Sequence, residues 1–300
     1  MPRTSIPHIT VCICTCRRSQ LLDRLLRELA RQETHGLFTY SIVVADNDPL
    51  ESARETVTGF ACTSTLRVAY CRESEPNIAK ARNRALEHAE GEFVACIDDD
   101  EIPEPGWLRE LLTTSTASGA DGVLGPVRPY FEHEPPRWVV DGGFFERRRF
   151  ATGHPLHWSQ TRTGNLLFRR ELLDELDLPF RPEFGTGSED LDFFRRVMQN
   201  GRRFVWCDEA PVYELVPPSR CRLGYVVRRA LIQAGNFPKV SPSRPRQVAK
   251  SALAVPLYAL ALPFQPLFGT HRFVWYLEKM SYHAAYIVAS FGFAPKLTRG

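Results

Sequence analysis

No cysteine of this chain sits in a CxxC pair. The eight, Cys12, Cys14, Cys16, Cys62, Cys71, Cys96, Cys207 and Cys221, lack the spacing of a zinc site and read as small buried hydrophobes. His154 and His157 show no metal-ligand spacing either and read as surface residues. There is no GxGxxG after the first apolar strand and no GxxxxGK followed by Ser or Thr, which disfavours dinucleotide and P-loop binding. Met1 to His8 contain no apolar core of a signal peptide, so a reduced, cytoplasmic location is expected.

Acids are almost missing from the end of the chain. From Pro217 onward there are twelve Lys/Arg and one acid, Glu278, against 26 basic and 34 acidic residues before it. An acidic body with a basic tail points to an anionic contact such as a membrane surface; no nucleic-acid partner is expected. Clean spanning helices are lacking too. Ser251 to Gly269 carries no charge over nineteen residues but contains Pro256, Pro263 and Pro266, and Phe273 to Phe293 is broken by Glu278, Lys279 and His283. Interfacial or re-entrant helices are expected, with a helical lid packed on the sheet as the alternative. The chain thus reads as two domains, 1–216 and a basic helical region 217–300, peripheral at the inner face of the cell membrane.

What is present is alternation. Strands are predicted over His8–Thr15, Tyr40–Ala45, Leu66–Cys71 and Phe93–Ile97. Between them fall helices opened by Ser19 as N-cap, by Glu51, and by Glu75-Pro76-Asn77. Four such repeats in the first hundred residues imply an α/β fold, a mostly parallel sheet with helices on both faces. A helix from Trp107, a strand over Gly122–Val127, a long irregular stretch 128–162 with a solvated Arg147-Arg148-Arg149, and a strand over Gly164–Arg170 follow. A Gly-rich turn over 184–190 leads into a helix burying Leu191, Phe194 and Val197. Short strands at 203–207 and 212–216 and a helix over Arg220–Ala234 complete the reading.

The apolar run 93–97 leads straight into Asp98, Asp99 and Asp100, with Pro103 and Pro105 closing the strand. Carboxylates past the end of a buried parallel strand stand where open α/β sheets bind ligands. Their mutual repulsion is relieved by a hard divalent cation, Mg²⁺ or Mn²⁺, which usually bridges to substrate phosphates; a solvated acidic turn is the plain alternative. A second acidic pair, Glu189-Asp190, opens a helix behind the Gly-rich turn and can be a simple dipole partner. A metal-binding cluster plus a separate carboxylate is also what inverting sugar transfer needs: a neutralised diphosphate leaving group and a base for the acceptor hydroxyl.

Taken in order, Thr15-Cys16-Arg17, Asp46-Asn47, Asn77 with Ala81-Arg82-Asn83, Asp98-Asp99-Asp100, Gly164-Asn165 and Glu189-Asp190 resemble the family 2 glycosyltransferases of the GT-A fold. The run from Val212 to Arg220, with Arg228-Arg229 and Gly235-Asn236, is similar to the bacterial exopolysaccharide subgroup, which resembles the succinoglycan glucosyltransferases. The resemblance covers residues 8 to about 236. It implies a nucleotide-diphosphate-sugar donor, a UDP-sugar by expectation, a saccharide or lipid-linked saccharide acceptor, and a divalent metal. It further implies that Thr15 and Asp46 contact base and ribose, Arg82 the base or diphosphate, Asp98 the ribose, and Asp100 the metal. Gly164 and Asn165 would shape the donor or acceptor pocket, and Asp190 would be the general base. Glu214 stands where many relatives place a metal-binding His. The QxxRW signature of processive synthases is absent, so one sugar per acceptor is expected. On the residues alone, Thr15 can instead cap the next helix and Arg82 can be solvated. A sugar-phosphate nucleotidyltransferase or an inactive membrane scaffold remains the alternative activity.

Overall fold

The computed structural model describes residues 6–185, 187–240 and 245–293. Residues 1–5, Thr186 of the Gly-rich turn, residues 241–244 and residues 294–300 lie outside them. The chain divides into two compact units. The first comprises residues 1–128, 147–185 and 189–214; the second comprises 129–146, 186–188 and 215–300. Residues 129–146, which the sequence boundary at 216 leaves in the first domain, therefore group with the second.

In the first unit, β1 (His8–Thr15), β2 (Thr39–Asp46), β3 (Val68–Arg72) and β4 (Phe93–Asp98) alternate with α1 (Ser19–Leu29), α2 (Arg54–Thr63) and α3 (Ile78–Glu87). β1 pairs in parallel with β2 and β4, and β2 with β3. Side chains alternate in direction along a strand. Ile9, Val11 and Ile13 accordingly join Leu22, Leu25, Leu26 and Leu29 of α1 in one core, while Cys12 joins Val43, Ala79 and Ala85 in another. With both faces covered, the strands read as continuous apolar runs. Each fully buried leucine contributes roughly 1.5–3 kcal/mol, so α1 forms although it has no side-chain cap. Ser19 is its first helical residue, and Arg18 holds the cap position. Asn77 does cap α3, accepting from the N–H groups of Ala79 and Lys80 at 3.0 and 3.3 Å. The cysteines are free, and burial pushes the Cys96 thiol up to about 12.

Beyond β4 the sheet changes direction. After α4 (Trp107–Ser118) come β6 (Gly122–Leu124), β8 (Leu166–Arg169) and β9 (Phe204–Trp206), giving the order β3-β2-β1-β4-β8-β6-β9. β8 runs antiparallel to both β4 and β6. Three expectations are corrected here. Pro103 does not end strand structure, because β5 (Glu101–Pro103) pairs antiparallel with β10 (Val212–Leu215). The strand expected over 122–127 breaks at Gly125-Pro126, and β7 (Val127–Tyr130) belongs to a small sheet of order β5-β10-β7. In α6 (Glu189–Gln199) it is Phe193, not Leu191, that is buried. Phe193 packs against Phe168, Phe180 and Phe194 with ring centroids 5.9, 5.0 and 5.2 Å apart.

The second unit is helical: α5 (Arg137–Asp141), α7 (Leu223–Val240), α8 (Pro245–Ala261), a 3₁₀ segment Leu262–Phe268 and α9 (Thr270–Ser290). α7 runs past the expected end at Ala234 and contains Pro238. Val226 and Ala234 of α7 meet Val274, Ala285 and Tyr286 of α9, and Arg229 pairs with Glu278 at 3.5 Å.

Candidate active site

The parallel strands deliver their last residues to one edge of the sheet. Thr15 lies opposite Asp46, and Cys14 opposite Asp98. The three aspartates then part company. Asp98 closes β4 with its carboxylate partly exposed, whereas Asp99 and Asp100 are buried. Thr15 donates its hydroxyl hydrogen to Asp99 Oδ2 at 2.8 Å. Arg18 Nη1 donates to Asp99 Oδ1 at 3.0 Å and to Asp100 Oδ2 at 3.3 Å. Thr15 therefore supports the acidic cluster and does not cap α1. Burial raises the Asp99 pKa, and Arg18 and Thr15 oppose that rise.

Arg82 of α3 links the two acidic groups. Its Nη2 donates to Asp98 Oδ1 at 3.4 Å, and its Nε stands 3.3 Å from Glu189 Oε1 at the start of α6. The side chain is largely buried over the Phe180 ring, so the solvated alternative does not hold. Burial alone would lower its pKa, but Asp98, Glu189 and Asp190 raise it above the usual arginine value. Asp190 is half-buried at the helix N-terminus, with its Oδ1 2.8 Å from the N–H of Leu191. Asn77 also reaches the 3₁₀ turn Pro182–Phe184 ahead of the Gly-rich turn: its Nδ2 donates to the carbonyl of Pro182 at 3.0 Å.

Gly164 lies against the cluster. A Cβ there would come within 2.7 Å of Glu101 Oε1 and 3.1 Å of Asp98 Oδ2. Asn165 adopts a φ of 59°, in the left-handed region. Its side chain is fully buried and serves as a staple: Nδ2 donates to the carbonyls of Pro126 and Ala210 at 2.9 and 2.8 Å, and Oδ1 accepts from Trp107 Nε1 at 2.7 Å. Asn165 thus shapes the edge from behind it. Asp46 is fully buried. Its oxygens accept from the N–H groups of Asp48 and Ala53 and from the Tyr70 hydroxyl at 3.1, 2.8 and 3.1 Å, anchoring the turn after β2.

Three participants were not read from the sequence. Glu101 is buried one residue past the triple aspartate, and its Oε2 accepts from the Asp98 N–H at 3.0 Å. Burial, with Asp98, Glu214 and Asp100 close by, pushes its pKa well above the carboxylate range. Arg18 was passed over, as was Arg162. Burial and Arg147 bring the Arg162 pKa down to about 10, against the opposing pull of Asp190, Glu101 and Glu214. Glu214 lies across from Glu101 in the β5–β10 pair and is ion-paired to Arg147, so an ion pair occupies the carboxylate expected to meet metal. Of the arginine run, Arg148 and Arg149 are exposed as expected, yet each has a partner: Arg149 Nε donates to Asp208 at 3.0 Å, and Arg148 lies 4.9 Å over the Phe150 ring.

Among the described residues no three His, Cys, Asp or Glu form a ready-made metal cage. The donor set is nevertheless all oxygen. Magnesium-like cations take one or two carboxylates and complete their shell with water and substrate phosphate, which Asp98 and Asp100 fit.

Glu101 leads to a pH effect. Because its folded-state pKa lies above the unfolded value, near 4.3, the native state holds that proton more tightly. The stabilisation is complete below the unfolded pKa and is lost as pH rises through the folded one. Glu101→Gln is expected to raise the melting temperature at pH 7–8 in the presence of EDTA, by roughly 2–4 °C per kcal/mol gained. The gain should vanish near pH 4–5, and melts across that range check it.

Residues 10–177 match the family model described as Glycosyl transferase family 2. The chain belongs to the family 2 glycosyltransferases. This glycosyltransferase is 36% identical over 234 residues to the succinoglycan biosynthesis protein ExoM of Rhizobium meliloti, covering 76% of the chain and 73% of that protein. It is 24% identical over 250 residues to the chondroitin synthase of Escherichia coli, covering 72% of the chain but 36% of that longer protein. Among solved structures, the mannosyltransferase PcManGT of Pyrobaculum calidifontis, in complex with GDP-Man and Mn²⁺, aligns with a TM-score of 0.64 at 21% identity, covering 97% and 88% of the two chains. S. aureus TarS 1-349 in complex with UDP-GlcNAc aligns at 0.55 and 17% identity, covering 95% and 92%. The fold is GT-A, as the ordered motifs implied.

Proposed function

We propose that this glycosyltransferase moves one hexose, with inversion, from a nucleotide-diphosphate sugar to a hydroxyl of a saccharide or lipid-linked saccharide in exopolysaccharide or glycoconjugate assembly. The observation that carries the reading is the Arg82 link between Asp98 and Glu189. It holds the N-terminus of α6 beside the end of β4, which supports reading Asp190 as a base that faces the donor edge. Likeness to ExoM, and the nucleotide sugars and Mn²⁺ named for the structural relatives, support it.

In this reading Asp98 meets the ribose, Asp100 with Asp98 holds a divalent cation, and Gly164 leaves room for the sugar. When bound, that cation neutralises the diphosphate. Asp190 accepts the proton of the acceptor hydroxyl as the oxygen bonds to the anomeric carbon. The bond from that carbon to the diphosphate oxygen breaks, and the electron pair leaves with the diphosphate. Arg162, beside Asp190, Glu101 and Glu214, adds positive charge where the leaving group develops its negative charge. The basic second unit meets an anionic membrane surface from the cytoplasmic side, where a lipid-linked acceptor would lie.

A panel of UDP- and GDP-sugars with Mn²⁺ or Mg²⁺, followed by release of nucleoside diphosphate, tests the reading. Metal-dependent release from at least one donor is expected. A folded protein that neither binds nor cleaves any of them refutes it.

A further inference from the structure

One stretch of the second unit is built inside out. Along α8 and the 3₁₀ segment after it, the polar side chains Ser251 and Gln265 are buried, while Leu253, Leu257, Leu260, Phe264, Leu267 and Phe268 are exposed, Leu267 by 81%. Within α8 the spacing puts Leu253, Leu257 and Leu260 on one stripe, and Phe264, Leu267 and Phe268 continue the exposed apolar face along the 3₁₀ segment. From residue 252 to 268 every exposed residue is Ala, Leu, Pro or Phe. Inward, the Ser251 hydroxyl lies 3.0 Å from His283 Nδ1 of α9, and Tyr258 stacks on the His283 ring at 5.9 Å. A helix facing water carries its polar residues outward and its apolar ones inward; here the order is reversed.

Cations stand at both ends of the stripe: Arg246 and Lys250 before it and Arg272 after it, all exposed. We propose that this face seats at the headgroup–acyl boundary of an anionic bilayer, with α8 lying in the plane and the three cations at headgroup level. Charge selects this occupant. A second copy of the chain docked on the same stripe would bring these cations face to face with their own kind. Residues 245–268 are long and apolar enough to cross a membrane by length and composition. However, they carry prolines at 256, 263 and 266, and they pack along α9, whose Glu278 is paired with Arg229. Both features fit an element lying in the interface. The inference rests on the second unit and does not depend on the donor chemistry.

Flotation of the full-length protein with vesicles of phosphatidylcholine, alone or with added phosphatidylglycerol, tests it. The wild type is expected to float with the anionic vesicles. Leu257→Glu/Leu260→Glu/Leu267→Glu, all at exposed positions, should weaken that binding by about tenfold or more, with unchanged circular dichroism. Replacing Arg246, Lys250 and Arg272 by Gln should weaken anionic-vesicle binding roughly fivefold per cation and leave binding to neutral vesicles unchanged. The proposal is overturned if the triple-Glu variant floats like wild type. It is equally overturned if the wild type does not float but forms a dimer that the same substitutions dissociate.

Discussion

Asp190→Asn is expected to lower sugar transfer by about 10²–10⁴-fold, the usual contribution of a positioned general base, while nucleotide and metal affinity stay near wild type. A sugar hydroxyl is a poor nucleophile at neutral pH, so its proton must leave as it attacks. Two carboxylates open α6, and burial separates their roles. Glu189 is buried and ion-paired with Arg82, whereas Asp190 is half-buried at the helix N-terminus, where the backbone dipoles favour a carboxylate. Asparagine keeps the shape and loses the basicity, which makes it a cleaner test than alanine. Transfer to acceptor is measured beside nucleotide affinity. Lost affinity with unchanged transfer at saturating donor would make Asp190 a binding residue.

Asp100→Asn is expected to bring turnover to background and to remove the metal-dependent part of nucleotide binding. The substitution takes one negative charge from an oxygen site whose cation affinity depends on charge. It also weakens one of the two carboxylates that Arg18 spans. Thermal shifts with nucleotide, with and without Mn²⁺, report the binding. The wild type should gain more stability with both present than with nucleotide alone, and the variant should show no such added gain. Wild-type transfer by the variant at limiting Mn²⁺ would refute the assignment.

The parallel half of the sheet was legible because strands buried on both faces must be apolar throughout, as Val11 to Cys14 and Phe93 to Ile97 are. The reversal of β8 was not, since an apolar run such as Leu166-Leu167-Phe168 has no direction until its partners are known. The site motifs were found at the right strand ends, but residue type could not show which way each side chain is committed. Asp46 and Asn165 stand in sequence as donor-site residues, and only the fold shows that both also brace the backbone around them. Glu101 offered a signal, since the acidic run continues as Asp-Asp-Asp-Glu, but its meaning comes from Glu214, more than a hundred positions later and paired only across β5 and β10. Arg18 and Arg162 resemble the many solvated arginines around them, and only the folded chain brings them to the carboxylates.

The antiparallel entry of β8 next to β4 has a kinetic side. β4 gains its neighbour β1 from the segment already made, whereas its other edge stays open until Leu166 to Arg169 arrive. Gly122 to Leu124 in turn wait for Phe204 to Trp206. Pairings so distant along the chain form slowly, because their loops must close before the contacts reward it. During synthesis the strand bearing Asp98 is thus an apolar edge open to other chains. A ribosome-bound intermediate ending before residue 166 would be prone to associate through that edge and to call on chaperones.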